Sequence, residues 1–265
     1  MSALATAEPW DLVAVNYAAE SLPYFEAFSR EALRLAALPP QPRVADIAAG
    51  PGTLSLLAAA EGARVSAIDL SPRMVDEFRA RIDAAGMVAA IDLRVGDGQQ
   101  LPFETAAYDA AFSMFGLMFF PDRAAGLREM KRVLKPGGRA VVASWIPFDG
   151  PFSVLFQSAS EIIPGLPTGG GFALADEESI VREMTAAGFA NVAVHRVAQE
   201  LKAASFDAFW NAMERTNAPL VLIKHRVGPD RWQTLGPKIR EKVAATLGDG
   251  PVIIGRGAFL GIGVA

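Results

Sequence analysis

The chain has 265 residues, with 25 Lys+Arg against 29 Asp+Glu for a net charge of −4, two His and no Cys. The lack of Cys excludes disulfides, thiolate nucleophiles, iron–sulfur clusters and Cys-ligated zinc, and two His leave little for a His-based metal site, so no metal is expected. The mildly acidic balance argues against a nucleic-acid binder, which needs basic surface to neutralise phosphates. A hydrophobic share of 51% is high. Even so, no run reaches the roughly 18 apolar residues of a spanning helix, and no stable membrane insertion is expected. The length suits one large domain, or one domain with a cap, around a sizeable core.

The first ten residues, MSALATAEPW, carry neither the charged nor the apolar region of a signal peptide, so a cytoplasmic protein is expected. Leu12, Val15, Leu22, Phe25, Phe28, Leu33 and Leu35 recur near helical spacing. They predict one or two helices over 10–38, with Pro23 near a break. Short apolar runs then alternate with helical patterns. Strands are predicted at 43–47, 64–69, 91–95, 108–114 and 139–144. Helices are predicted at 53–60, 74–85 and 123–134, and Lys135-Pro136-Gly137-Gly138 reads as a turn. Strands alternating with helices predict right-handed βαβ crossovers and a doubly wound α/β sheet, mostly parallel.

Past Trp145 the rhythm changes. Residues 146–175, rich in Pro, Gly and Phe, predict irregular chain with one short helix. A helix follows at 177–187, closed by Gly188, then a sixth strand at 191–197, interrupted helices over 205–248 and a last strand at 252–264. The segment between the last two strands is too long for a hairpin and reads as a cap. The expected organisation is an N-terminal helical lid over 1–40, an α/β domain over 41–200 and 251–265, and a helical cap over 201–250.

The informative stretch runs Val44-Ala45-Asp46-Ile47-Ala48-Ala49-Gly50-Pro51-Gly52-Thr53. A buried strand meets an acid, a Gly-containing turn and a helix start. Gly permits close backbone approach, and the helix start offers unpaired N–H groups. By itself this is also what a tight βα turn without a ligand looks like. Asp69 and Asp97 fall at the next two strand ends, so three carboxylates share one sheet edge. Asp also caps helices, but three in register favour a site over three caps. A dinucleotide fingerprint would need three glycines in G-x-G-x-x-G, and neither possible frame supplies them; no P-loop Lys follows.

The ordered run DIAAGPGT, AIDLSPRMV, VGDGQQLPF, YDAAFSMFGLMFFPD and LKPGGR resembles the class I S-adenosylmethionine-dependent methyltransferases, in their small-molecule, ubiquinone/menaquinone-biosynthesis-like branch. The resemblance covers roughly residues 40–145. It implies a seven-stranded Rossmann-like sheet with helices on both faces, and S-adenosylmethionine as cofactor, leaving as S-adenosylhomocysteine. Asp46, Ala48, Gly50 and Gly52 would shape the turn around the methionine portion. Asp69 would bind the ribose hydroxyls. Leu70 and Met74 would pack on adenine, and Asp97, beside Gly98, would accept from its amino group. Ser113 would offer backbone near the methionine amine, and Tyr17 would close over the cofactor. The family usually has Gly at position 48; the Ala48 methyl is compatible with a negative φ. A His common near the end of the fourth-strand motif is replaced in this chain by Met118 and Phe119.

Methyl transfer from a sulfonium needs alignment and exclusion of water, and a base only where the acceptor must lose a proton. The segments expected over the sheet edge carry Trp10, Tyr17, Phe25, Phe115, Trp145, Phe148, Phe152, Phe156, Trp210 and Met213. Phe115 and Trp145 follow strand ends and are expected in the pocket; Phe25, Phe28, Phe206 and Phe209 are expected in the core. Such a pocket suits a small apolar or aromatic acceptor. His225 is a candidate base in the cap, although a solvated cap face is the simpler reading of it; His195 reads as outward-facing or satisfied. The charged run over 123–132 reads as a solvated helix face. A nicotinamide-dependent oxidoreductase and a non-catalytic S-adenosylmethionine-binding protein are the alternatives.

Overall fold

The computed structural model describes residues 3–147, 153–155, 157 and 173–265. The strands are β1 (Arg43–Ile47), β2 (Arg64–Asp69), β3 (Ile91–Val95), β4 (Tyr108–Met114), β5 (Leu134–Trp145), β6 (Ala190–Ala203) and β7 (Val252–Val264). They form one sheet in the order β3-β2-β1-β4-β5-β7-β6. Strands β1 to β5 pair in parallel, and β7 runs antiparallel between β5 and β6. The chain steps outward from β1 to β3, then crosses back to β4 on the other side of β1. This reversal opens a crevice at the carboxyl ends of β1 and β4, where such sheets bind ligands.

Helices α1 (Glu8–Glu20), α2 (Leu22–Ala36), α3 (Thr53–Ala60), α4 (Pro72–Ala85), α5 (Arg123–Val133) and α6 (Glu177–Ala186) surround the sheet. One face buries Phe28, Leu54, Phe78 and Ile82 from α2, α3 and α4 against Val44, Ala110 and Phe112. The other buries Leu127, Met130, Ile180 and Met184 from α5 and α6 against Ala45, Ala111 and Val142. Cover on both faces is why β1 and β4 read as nearly continuous apolar runs. Ser71, Asp122 and Asp176 cap α4, α5 and α6 by accepting from Met74, Ala125 and Ser179 N–H groups. Each such cap contributes about 1 kcal/mol. Pro23 sits in the first turn of α2, where its missing N–H costs nothing, so the break expected there is the α1–α2 junction at Ser21.

Two elements differ from the expected ones. The Lys135–Gly138 turn lies within β5, whose register against β4 jumps from Tyr108↔Leu134 to Ala110↔Arg139. The extra residues are taken up as a bulge, so the strand starts early. Strand β6 continues to Ala203, and its far half pairs only with β7, Ala198 to Ala203 against Gly257 to Val252. This two-stranded ribbon is stabilised by α7 (Phe206–Thr216), α8 (Ala218–Val227) and α9 (Pro229–Leu247). Phe206, Phe209, Trp210, Trp232, Ile239 and Val243 pack on Val252 and Ile254 of the ribbon. Most of the irregular segment expected over 146–175, with Phe148, Phe152 and Phe156, lies outside the described residues. Among the described residues, no helix is long and apolar enough to cross a membrane.

Candidate active site

At the crevice, Asp46, the penultimate residue of β1, lines a cavity of about 390 Å³. Asp46 is 1% exposed. Its Oδ2 accepts from the Ser55 hydroxyl of α3 at 2.6 Å. Its Oδ1 is buried and has no hydrogen-bond partner among the described residues. Burial pushes the Asp46 carboxyl up to about 7, with the Ser55 bond opposing and the Asp69 charge adding to the rise. Asp69, ending β2, accepts from the Gly50 N–H at 2.7 Å and the Ser71 N–H at 2.9 Å. Burial raises it to about 6 against those two bonds. Asp97 lies two residues beyond β3 and is exposed. It accepts from the backbone N–H of Gln99 at 2.9 Å and from its side-chain amide at 3.0 Å.

The N-terminal helix is tied to this edge. Asp11 of α1 accepts from the Ser71 hydroxyl at 2.6 Å and the Arg73 N–H at 3.2 Å. That contact sets Trp10 and Tyr17 in the cavity wall, with the Trp10 ring 5.4 Å from Phe119.

Tyr17, Asp46, Ala48, Gly50, Asp69, Leu70, Met74, Asp97 and Gly98 all line the cavity; Gly52 and Ser113 do not. Gly52 has φ +82°, and a Cβ there would lie 2.0 Å from the Phe78 ring, so this glycine serves the contact between α3 and α4. Ser113 is wholly buried by strand alternation, its hydroxyl accepting from the Leu117 N–H at 3.1 Å. Met114 and Phe115 form the wall at that strand end instead. His225 is exposed on α8 and outside the cavity lining, which removes it as a base for chemistry there; His195 is exposed on β6.

Ala48 departs from its expected backbone. Its φ is +58°, in the left-handed region that a side chain rarely adopts. Room for the methyl comes from Gly116, where a Cβ would fall 2.3 Å from that of Ala48.

The opposite wall is aromatic. Phe115 and Trp145 stack with ring centroids 4.0 Å apart, and Phe25 meets Phe115 edge-on at 5.5 Å. Phe25 therefore lines the cavity rather than the core, whereas Phe28, Phe206 and Phe209 are buried as expected. Tyr24 and Arg256 were not among the residues that sequence reasoning singled out. The Arg256 guanidinium carbon sits 3.9 Å from the Trp145 ring centroid. Burial lowers its pKa to about 10, against the opposing influence of the Tyr24 and Tyr17 phenols. The alternation along β7 held a signal: Arg256 falls on the face of buried Val252, Ile254 and Ala258.

Comparison with known proteins bears on this geometry. A family model described as a methyltransferase domain matches residues 45–142. A demethylmenaquinone methyltransferase of Mycolicibacterium gilvum is 32% identical over 184 residues, spanning 64% of this chain and 76% of that protein. Other curated relatives are matched over about half their length: an uncharacterised protein of Mycobacterium bovis is 36% identical over 127 residues, 48% of this chain and 45% of its own. Among solved structures, a Bacillus halodurans protein provisionally assigned to the methyltransferases has a TM-score of 0.62 at 19% identity, over 90% of this chain and 98% of that one. A Haemonchus contortus phosphoethanolamine N-methyltransferase solved with S-adenosylmethionine has a TM-score of 0.57 at 20% identity, over 90% of this chain and 52% of that one. The two solved structures share the fold; the Mycolicibacterium relative carries the family. The chain belongs to the class I S-adenosylmethionine-dependent methyltransferases.

Proposed function

We propose that the protein transfers the methyl group of S-adenosylmethionine to a small planar molecule held in the aromatic half of the cavity. The observation that carries this reading is the orphaned Oδ1 of Asp46. A buried carboxylate oxygen without a donor is costly, and Asp46 is among the residues lining a cavity that also holds Asp69 and Asp97. A ligand with cationic and hydroxyl groups would supply the missing donors. S-adenosylmethionine fits that description, with its ammonium, its sulfonium and its ribose.

When bound, the cofactor supplies a methyl group already activated by a positively charged sulfur. The chain's work is to position and to enclose. Asp46 and the Ala48–Gly50 turn would hold the methionine portion. Asp69, fixed by Gly50 and Ser71, would accept from ribose hydroxyls, while Leu70 and Met74 would flank adenine and Asp97 would receive its amino group. Phe25, Phe115 and Trp145 would lay the acceptor in line with the breaking S–C bond and keep water out. Alignment of this kind contributes roughly 7–11 kcal/mol in favourable cases. The new bond forms between the acceptor's nucleophilic atom and the methyl carbon, and the S–C electron pair returns to sulfur. With His225 outside the cavity, an acceptor already deprotonated suits this site. The helices of 1–40 and 201–250 would act as lid and cap.

Calorimetric titration with S-adenosylmethionine and S-adenosylhomocysteine tests the cofactor. Labelled methyl donor with an acceptor panel, read by mass spectrometry, tests the transfer. We expect binding of both ligands and label in a small product. Binding of a nicotinamide nucleotide in their place would sink the proposal in favour of an oxidoreductase. Tight cofactor binding with no transfer to any acceptor would favour the non-catalytic alternative.

A further inference from the structure

We infer that Asp11 is a positioning residue for the cofactor: through Ser71 it ties the lid helix α1 to the Asp69 turn, so that the seating of α1 and the binding of S-adenosylmethionine are one coupled event. The inference rests on the methyl-transfer reading and adds to it a residue outside the cavity lining.

Ser71 joins the two sides with different atoms. Its backbone N–H donates to Oδ1 of Asp69 at 2.9 Å, while the Gly50 N–H holds Oδ2 at 2.7 Å. Its hydroxyl donates to Oδ1 of Asp11 at 2.6 Å and accepts from the Met74 N–H at 3.0 Å. Ser71 is wholly buried. Without the Asp11 carboxylate, the hydroxyl proton of a buried residue loses its acceptor, and the turn must shift or admit water. Asp69 is drawn into that change, because the N–H of the same serine helps to set its position.

Helix α1 has two seams. Along α7 and α8 its ends are ion-paired, Glu8 with Arg226 at 2.8 Å and Glu20 with Arg215 at 2.9 Å. These four side chains are about a third to a half exposed, and exposed pairs stabilise little. Along α4 stands Asp11, which also takes the Arg73 N–H at 3.2 Å in the first turn of that helix. A carboxylate suits a helix N-terminus, and its charge-assisted bond to a buried hydroxyl is stronger than an exposed ion pair. Asp11 is therefore the firmer polar anchor of α1.

Met74 repeats the coupling through apolar contact. It lines the cavity, and it is buried in one cluster with Val13 and Ala14 of α1. Trp10 and Tyr17, on the same helix, line that cavity too. With α1 seated, the cofactor half has this wall; with α1 lifted, it loses both rings and opens to water. A cofactor that holds Asp69 and Met74 in place favours the seated helix, and the seated helix slows its departure.

The test uses the full chain with S-adenosylhomocysteine. Calorimetry reads the affinity, surface plasmon resonance the dissociation rate, and hydrogen exchange the protection of α1 over residues 8–20. In the unaltered protein the ligand should slow exchange across α1. In D11A that protection is lost, and affinity falls about tenfold or more, chiefly through faster dissociation. D11N, whose amide oxygen can still accept from Ser71, recovers part of the loss. In the S71A background the further effect of D11A shrinks to about twofold or less, because Asp11 acts through Ser71. If D11A fails to fold, the same cycle is run with D11N. Lower thermal stability with unchanged affinity and unchanged exchange would mean that Asp11 merely supports the fold, and overturns the inference. So does a loss of affinity that is undiminished in the S71A background. Failure of S-adenosylhomocysteine to bind the unaltered protein is a separate result, and it overturns the methyl-transfer reading itself.

Discussion

The two halves of the cavity are assembled by opposite routes. The acidic half comes from consecutive strand ends and their turns, within a stretch that runs from Asp46 to Gly98. Its carboxylates are held by near neighbours: Asp69 by Ser71 and Gly50, Asp97 by Gln99. The aromatic half is gathered from distant places: Tyr24 and Phe25 on α2, Phe115 after β4, Trp145 at the end of β5 and Arg256 on β7. The first needs little beyond the pairing of the adjacent strands β1, β2 and β3. The second needs elements from along the whole chain, and its Phe115 and Trp145 also belong to the core.

Four experiments would break or sharpen that contrast. Trp145→Ala removes the centre of the aromatic stack, and urea denaturation should show a loss of about 3–5 kcal/mol. Affinity for S-adenosylhomocysteine should stay nearly unchanged; a parallel fall would mean that the halves are not separable. Asp46→Asn probes the burial of charge. The folded-state pKa of Asp46, about 7, is raised above the ordinary carboxylate value of 3.8. The folded form is therefore favoured while the carboxyl is protonated, and that stability is lost as pH rises from about 4 through about 7. The unliganded variant escapes this loss, on the order of a few kcal/mol, and should gain on the parent in thermal melts between pH 4 and 8. A constant difference across that range would contradict the assigned burial. Asp69→Ala should weaken cofactor binding by about 1–3 kcal/mol through lost charge-assisted hydrogen bonds; unchanged calorimetric affinity would move the cofactor out of the acidic half. Ala48→Gly relieves a left-handed alanine and should raise stability by about 0.5–1 kcal/mol. A destabilised variant would show that the methyl's contact at Gly116 outweighs the backbone strain.

Much of the sheet was legible because its strands are short apolar runs between turns and amphipathic helices. The predicted strands at 43–47, 64–69, 91–95 and 108–114 coincide with β1 to β4. The length of β6 was not legible, because its second half, with exposed and half-buried residues alternating, is stabilised by α7, α8 and α9 rather than by a third strand. The carboxylates of the acidic half could be read from their places at strand ends. Gly52 and Ser113 share the same motifs yet face Phe78 and Leu117, since a motif fixes spacing and not the direction of each residue. Arg256 escaped notice among the glycines of β7, and Tyr24 within an amphipathic helix, because neither has a neighbour in sequence that shares its role. His225 drew attention as a rare titratable group, but rarity carries no information about position.

The pairing of Ala48 with Gly116 has a bearing on how such a site can change over time. Any side chain at 116 collides with the methyl at 48, so drift at the second position is blocked while the first remains alanine. Glycine at 48 would remove the closest of the contacts at 116, leaving the Ser113 hydroxyl at 3.3 Å, and once a side chain was accommodated there the way back to alanine would close. The floor of the crevice is thus a lock with two tumblers, in which the order of substitutions decides which sequences can be reached.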